Sequence, residues 1–286
     1  MIHFLRYTKI YILISAIVIG LGLFSIVRWG YAVSIDFVGG SLFVVSSNSV
    51  SRNISIEQIF LKKKIKIQSM EKRSDSVTIR TVALSQDKFE SISQELRSAS
   101  PSFTILKSET VGPTIGMETV KKTLVASFLG LIAILSYMAF AFRGWQAALS
   151  AVVATLHDLL VIFGMYSLLS HFFGAQLDTL FVTAVLTSMS FSVHDTIVVF
   201  DKIREYQASS YGSLEDQANR ALTQTMVRSF NNSMTIIFML LALVLLGGST
   251  IRFFACALLV GTITGTYSSP FVATPLFVWL KRKFKN

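Results

Sequence analysis

The sequence predicts a polytopic α-helical membrane protein of six transmembrane helices, with a small α+β domain between helices 1 and 2. Three observations predict this. Of 286 residues, 52% are hydrophobic and only 15% charged, whereas about a quarter of an ordinary soluble domain is charged. The apolar residues fall into six long runs, four of them free of charge and two holding a single acid each. One polar stretch, residues 29–120, separates the first run from the rest. The same composition excludes disorder, which needs low hydrophobicity. A single cysteine, Cys256, excludes a disulfide scaffold and a multi-cysteine zinc site. The net charge of +10 would by itself suggest nucleic acid. With so much apolar sequence the expected partner is the lipid bilayer, and no nucleic acid is expected.

A spanning helix needs about 20 apolar residues to cross a hydrocarbon core ~30 Å thick. The first run, residues 10–27, is bracketed by Lys9 and Arg28. It is long and no small-residue cleavage site precedes Arg28, so it reads as a retained anchor within residues 1–28 rather than a cleaved signal peptide. Residues 121–286 then form a five-helix domain, with spans at about 123–142, 144–170, 179–200, 229–251 and 253–280. Residues 201–228 are its cytoplasmic loop and 281–286 a basic tail. Arg6, Lys9, Arg143, Lys202, Arg204, Arg220 and the tail all fall on the side of the two termini. The opposite short loop, residues 171–178, has no Lys or Arg. The positive-inside rule therefore places both termini in the cytoplasm. Trp29, Trp145 and Trp279 fall at predicted span ends, where interfacial indoles belong.

The long polar stretch is exempt from the charge rule and reads as an extracytoplasmic domain, residues 29–120. Between residues 30 and 120 there are 11 Lys or Arg and 9 Asp or Glu, a balance of +2, so the remaining +8 belongs to the membrane part. Residues 41–47 are β-rich, and 55–64 are helical with Ser55 as N-cap. Residues 65–70 and 76–82 alternate and are split by the charged turn 71–75, a hairpin signal. Residues 85–99 place Phe89, Ile92 and Leu96 on one helical face, and 103–106 form a last short strand. This βαββαβ order suggests a ferredoxin-like sandwich. Lys62, Lys63, Lys64 and Lys66 read as a solvated face, with an acidic partner as the alternative.

An ionised side chain near the bilayer centre costs at least ~2.5 kcal/mol, so the two intramembrane acids need a reason. Asp158 lies near the middle of its span. Asp195, six residues before Asp201, sits roughly 9 Å inside the cytoplasmic boundary at 1.5 Å per residue. Ser188 and Ser192 share its helical face and form a polar stripe with it. Arg228 precedes the fifth span and reaches the depth of Asp195 if the loop folds back. Pairing with arginine keeps a carboxylate ionised and isolation favours protonation, so switching between the two is the core of a proton-coupled device. The alternative is a static ion pair that pins helices. His157 and His194 each precede an acid and are candidate relay members, although packing and hydrogen bonding explain either equally well. Asn231 and Asn232 read as interhelical hydrogen-bonding groups rather than ligands.

Catalytic signatures are thin. HExxH, GxSxG and GxxxxGK[ST] are all absent from the sequence, so an enzyme is not expected. No cofactor or metal is expected, and protons are the expected coupling ion. Cys256 lies in an apolar run and reads as a small buried hydrophobe.

The segment MSFSVHDTIVVFDKIREY, residues 189–206, resembles the fourth-span signature of the SecF family, whose pattern is close to GYSINDTIVVFDRIRE. Four further stretches match in order: IDFVGG (35–40), VGPTIGMETV (111–120), LHD (156–158), and the last two spans from Arg228 to Ser269 almost throughout. Ser190 replaces a glycine of the pattern and His194 its asparagine; the former limits how closely a helix can approach, the latter adds a titratable group beside the acid. The resemblance implies an accessory subunit of the bacterial Sec protein translocase, in the RND-like superfamily. It would pair with a SecD-like subunit, associate with the SecYEG channel, and promote late steps of preprotein export on the proton-motive force, in the cytoplasmic (inner) membrane. It assigns proton coupling to Asp195 and Arg228, with Asp158 as a weaker candidate. Two alternatives stand beside it: a half-unit of an RND-type small-molecule or lipid exporter, and a non-transporting membrane scaffold. An exporter of that class normally carries larger external modules, and residues 29–120 are too few to form a substrate tunnel alone.

Overall fold

A computed structural model describes residues 3–46, 53–72, 76–99, 104–141, 144–209 and 212–284. The chain divides into two compact units, residues 33–125 and residues 1–32 together with 126–286. Among the described residues six helical stretches are long and apolar enough to cross a membrane.

The first is α1 (Thr8–Trp29), preceded by a single 3-10 turn at Phe4–Tyr7. After it comes the α/β unit: β1 (Gly40–Ser46), α2 (Asn53–Lys62), β2 (Ile67–Lys72), β3 (Ser76–Thr81), α3 (Gln86–Ala99) and β4 (Thr104–Val111). The strands lie in the order β2-β3-β1-β4, each antiparallel to its neighbours. Phe43 and Val45 of β1 and Val77 and Ile79 of β3 point to one face, as period-2 alternation requires. There they pack with Ile59, Phe60, Ile92 and Leu96 of the two helices. Phe43 is fully buried between the rings of Phe60 and Phe89, with centroids at 5.7 and 5.0 Å.

Several local boundaries differ from expectation. α2 already runs at Asn53, so Ser55 is not its cap. Ile65 is a core residue that precedes its strand rather than opening it. Part of the 71–75 turn lies outside the described residues. Of the lysine cluster, Lys63 bridges to α3, bonding Ser91 at 2.9 Å and pairing with Glu95 at 3.4 Å.

Two of the motifs form one junction within this unit. IDFVGG is a helical turn at Ile35–Val38, with the Ser34 side chain accepting from the Asp36 amide, and it leaves through Gly39 at φ 73°. A Cβ on Gly39 would lie 2.8 Å from Cα of Pro113, and one on Gly116 would lie 2.9 Å from the Gly39 nitrogen. The glycines therefore let two backbones touch where any side chain would wedge them apart.

α4 (Pro113–Ala141) begins at that junction. It starts ten residues earlier than the span at 123, because Pro113 pre-sets a helical φ and Lys122 pairs with Glu118 one turn away at 2.8 Å. The expected boundary at residue 120 thus falls inside a continuous helix. α5 (Trp145–Phe173) ends on Gly174 in the left-handed region. α6 (Thr179–Ala208) starts on Asp178, whose side chain accepts from the Phe181 amide at 2.7 Å. α7 (Leu214–Leu246) starts on a reciprocal capping box between Ser213 and Asp216. Consequently the expected loop 201–228 is mostly helix. Asp201 with Arg204 and Lys202 with Glu205 support its first part as i,i+3 pairs.

The final span is interrupted. α8 (Ser249–Ser268) passes through a π turn, Ser269–Ala273, into α9 (Thr274–Lys283). Pro270 has no N–H to give the ladder, and the Ser269 carbonyl accepts from both the N–H and the Oγ1 of Thr274, the latter at 2.9 Å. Cys256 is half-buried on α8. Trp29, Trp145 and Trp279 are exposed near the ends of α1, α5 and α9.

Candidate functional site

The two intramembrane acids occupy different surroundings. α5 carries Asp158 at its centre, where α1, α6 and α8 all approach it. α6 and α8 meet closely because Gly261 and Gly265 present no side chain: a Cβ on Gly261 would collide with the Ser188 side chain, and one on Gly265 would lie 3.1 Å from Ser192. This spacing of two glycines four residues apart is the small-residue device by which membrane helices approach. It brings Ser192 and Ser268 within reach of α5.

Asp158 is consequently saturated. Its Oδ2 accepts from Ser192 Oγ at 2.5 Å and from Ser268 Oγ at 2.7 Å, and its Oδ1 meets His157 Nδ1 at 2.9 Å. His157 Nε2 continues to Ser15 Oγ of α1 at 2.9 Å. All five side chains are buried. The serine stripe of α6 therefore serves Asp158 through Ser192 rather than Asp195. Ser188 is buried without a hydrogen-bond partner among the described residues.

α1 lies along α5 in a parallel seam that the sequence reading missed. Ser15 meets His157, Gly22 meets Gly164, Ser25 Oγ meets Ser167 Oγ at 2.8 Å, and the Trp29 indole stacks on His171 at 4.3 Å. Every pair has the same sequence offset, and Ser15, Gly22 and Trp29 recur every seven residues. That repeat is the one that keeps two parallel helices in register. The polar and small residues at this spacing were the available signal.

Asp195 lies one turn beyond Ser192 on α6 and lines a cavity with residues of α7 and α8. It is buried, yet its carboxylate has no hydrogen bond or ion pair among the described residues. It opens on a cavity of about 320 Å³ between α6, α7, α8 and the π turn. Apolar walls come from Leu222, Met226, Phe230 and Ile263; hydroxyls come from Thr225, Ser233, Thr266 and Ser269. The π turn contributes directly, since Thr196 Oγ1 and Ser269 Oγ bond at 2.8 Å at the cavity edge. Local π-helical turns of this kind recur at functional sites.

Arg228 does not pair with Asp195. It lies on α7 between the cavity-lining Thr225 and Ser229, but its side chain is exposed. The loop does fold back as a helix to this depth, and helical phase then turns residue 228 outward. His194 is exposed and lines an open space against α4 with Tyr137 and Ser190. It also borders a narrow crevice with Asp195, Asn232 and Thr266. Ser190 faces the open space, so its side chain meets no closely packed helix. Asn231 and Asn232 are exposed and make no interhelical side-chain bond among the described residues. Thr266, donating to Ser233 at 2.6 Å, joins α8 to α7 instead. Among the described residues no group of three or more His, Cys, Asp or Glu side chains is placed to hold a metal.

One carboxyl is thus bonded into a network that joins four helices, and the other has no hydrogen-bond or ion-pair partner among the described residues. The chain as a whole is similar to known proteins. Residues 91–283 match the family model described as protein export membrane protein SecD/SecF, C-terminal. The protein translocase subunit SecF of Thermobaculum terrenum is 38% identical over 99% of this chain and 96% of its own length. SecF of Helicobacter pylori strain J99 is 31% identical over 95% of this chain and 85% of its length. The crystal structure of SecDF from Thermus thermophilus, described as a translocon-associated membrane protein, superposes with a TM-score of 0.82 at 31% identity. It covers 98% of this chain, which spans only 39% of that longer one. This multi-pass membrane chain belongs to the SecF family.

Proposed function

We propose that the chain is an accessory subunit of a Sec-type protein translocase that works with a SecD-type partner and draws on the proton-motive force. The observation that carries the reading is Asp195: a buried carboxylate with no bonded partner, opening on a cavity, in a chain of the SecF family. Among the described residues no hydrogen bond or ion pair holds this carboxyl, so a proton can enter or leave without breaking a bond that joins helices. A charge crossing a potential of about 100 mV yields ~2.3 kcal/mol, enough to bias an element whose two states differ by a few kcal/mol. Arg228, one helical step from the cavity wall, is the cation that approaches Asp195 in the other state. Asp158 is the second proton-active carboxyl.

The fused SecDF of Thermus thermophilus, in which a region like this chain occupies about two-fifths of the polypeptide, supports a SecD-type partner. On this reading the SecYEG channel and a translocating preprotein are the further partners, the work falls late in export across the cytoplasmic membrane, and no cofactor or enzymatic step is involved. Both termini lie in the cytoplasm, in keeping with the basic residues around α1 and α9. The four-stranded unit is a ferredoxin-like domain on the opposite side, a reading supported by its strand order and its two helices on one face.

The test is rescue of export of a secretory precursor in cells lacking their own SecF. The wild-type gene is expected to restore it, and Asp195→Asn to abolish the rescue while the protein still accumulates in the membrane. Full rescue by Asp195→Asn would reject proton coupling at this site. A gene that leaves export unrescued and alters only drug sensitivity would favour an exporter.

A further inference from the structure

The hydrogen bonds that lock Asp158 do not end at Ser15. Ser15 Oγ lies 3.4 Å from Tyr267 Oη of α8, and Tyr267 Oη donates to the Tyr11 carbonyl at 2.8 Å. Tyr267 is also a wall residue of the Asp195 cavity. A line of exchangeable groups, Asp158–His157–Ser15–Tyr267, thus runs from the locked carboxyl to the chamber of the free one. The titratable groups facing this line are Tyr11 from α1, Tyr267 from α8 and, across the cavity, Asp195 from α6. From α6 Ser192 also touches it, and among the described residues none of α7 bonds to it.

Counting donors shows what the line can do. Oδ2 of Asp158 is occupied by two serine hydroxyls, which leaves Oδ1 for the imidazole. Ser15 has one proton to give and two acceptors within reach, His157 Nε2 and Tyr267 Oη. When Ser15 gives it to Nε2, the ring is neutral and its single N–H, on Nδ1, points at the Asp158 carboxylate. When Ser15 gives it to Tyr267, Nε2 must itself carry a proton and donate to Ser15, and the His157–Asp158 pair then holds one proton more. The direction of one hydroxyl is therefore tied to the loading of the buried pair. The 3.4 Å step is the longest in the line, and a proton crosses it toward Ser15 when Tyr267 turns its hydroxyl from the Tyr11 carbonyl to Ser15.

We propose that Ser15 and Tyr267 form a proton-conducting link through which the buried His157–Asp158 pair exchanges protons with the Asp195 cavity. Tyr267 first turns its hydroxyl from the Tyr11 carbonyl toward Ser15. Ser15 then passes its proton to His157 Nε2, takes the proton of Tyr267, and Tyr267 takes one from the cavity. Each intermediate group gains one proton and loses one, so the net change is one proton moved from the cavity to the ring, with no oxidant or reductant. The hydroxyl of Ser15 ends pointing at Tyr267, as the loaded state requires. The link rests on the reading of Asp195 as proton-active, and it adds two hydroxyl residues to that reading.

The test is hydrogen–deuterium exchange of the His157 ring N–H, read by solid-state NMR on the full chain labelled with ¹⁵N-histidine in liposomes. His157→Gln identifies the resonance. Exchange is expected to slow at least tenfold in Ser15→Ala and in Tyr267→Phe, and to return in Ser15→Thr, which restores a hydroxyl. Backbone amide exchange along α1 and α5 should stay at the wild-type rate, which a merely structural loss would not leave unchanged. A wild-type ring-exchange rate in either Ser15→Ala or Tyr267→Phe overturns the link. Slow exchange in both with a wild-type rate in Asp195→Asn supports the link and counts against Asp195 as the entry point, so the two readings fail separately.

Discussion

Gly164→Ala is the sharpest mechanical probe of the α1–α5 seam. An added Cβ would lie 2.5 Å from Cα of Gly22 and 3.2 Å from its carbonyl carbon. Ordinary carbon contacts are ~3.5–4.0 Å, so the helices must part locally by about 1 Å. Both obstacles are backbone, so no side chain can turn aside to absorb the strain. Overpacking of this kind costs ~1–3 kcal/mol. The same displacement lengthens Ser25–Ser167 from 2.8 Å to about 3.8 Å, beyond hydrogen-bonding reach, and weakens Ser15–His157 one heptad away. Interhelical bonds in membrane proteins average ~0.6 kcal/mol each, so the total loss is about 2–4 kcal/mol. Equilibrium unfolding of the full chain in mixed micelles titrated with dodecyl sulfate measures it. Gly20→Ala is the matched control on the same helix, because a Cβ there meets nothing within 4 Å; it should be neutral or slightly stabilising through helix propensity. Adding Gly22→Ala to Gly164→Ala should cost much less than the sum, since one separation relieves both clashes. A loss below ~0.5 kcal/mol in Gly164→Ala, or an equal loss in Gly20→Ala, would refute the seam as described.

Two further outcomes follow from packing. Ser188→Ala should be neutral or stabilising by up to ~1 kcal/mol in the same titration, because it removes a buried hydroxyl that has no partner among the described residues; a loss of 1 kcal/mol or more would mean that the hydroxyl is satisfied. Phe43→Ala should cost the α/β unit ~3–5 kcal/mol, as Phe43 is fully buried between two aromatic rings. Limited proteolysis of the full chain should then cut within residues 33–125 while the helical unit survives, and wild-type resistance there would contradict the core assignment.

Much of this architecture was legible in the residues, and the part that was not has a common cause. Hydrocarbon thickness and the cost of buried charge are one-dimensional constraints, so run lengths and the two acids Asp158 and Asp195 were visible without a fold. Helix ends were less so. The loop expected at 201–228 is largely helix because a capping box at Ser213 and side-chain pairs at 201–205 support turns that hydropathy does not register. Pro270 was visible as a residue, but its π turn depends on Thr274 and Ser269 meeting across the break.

Partner choice was the least legible. Periodicity correctly placed Ser188, Ser192 and Asp195 along one helix, yet Ser192 bonds Asp158 because α5 and α8 arrive on that side. Arg228 lies at the right depth, and helical phase turns it outward. Ser15 and Tyr267 are ordinary residues in apolar runs, and only the approach of α1 to α5 and α8 makes them neighbours of His157. By itself the sequence determined the number of crossings, their polarity in the bilayer as an expectation, and which charges required an explanation. Tertiary structure alone decided that Asp158 is bonded into its neighbours and that Asp195 has no hydrogen-bond or ion-pair partner among the described residues. A helix's own pattern fixes which face a side chain occupies, whereas its hydrogen-bond partner is set by which neighbouring helix can come close enough. That approach is governed by glycines such as Gly22, Gly164, Gly261 and Gly265, whose counterparts lie far away in the chain.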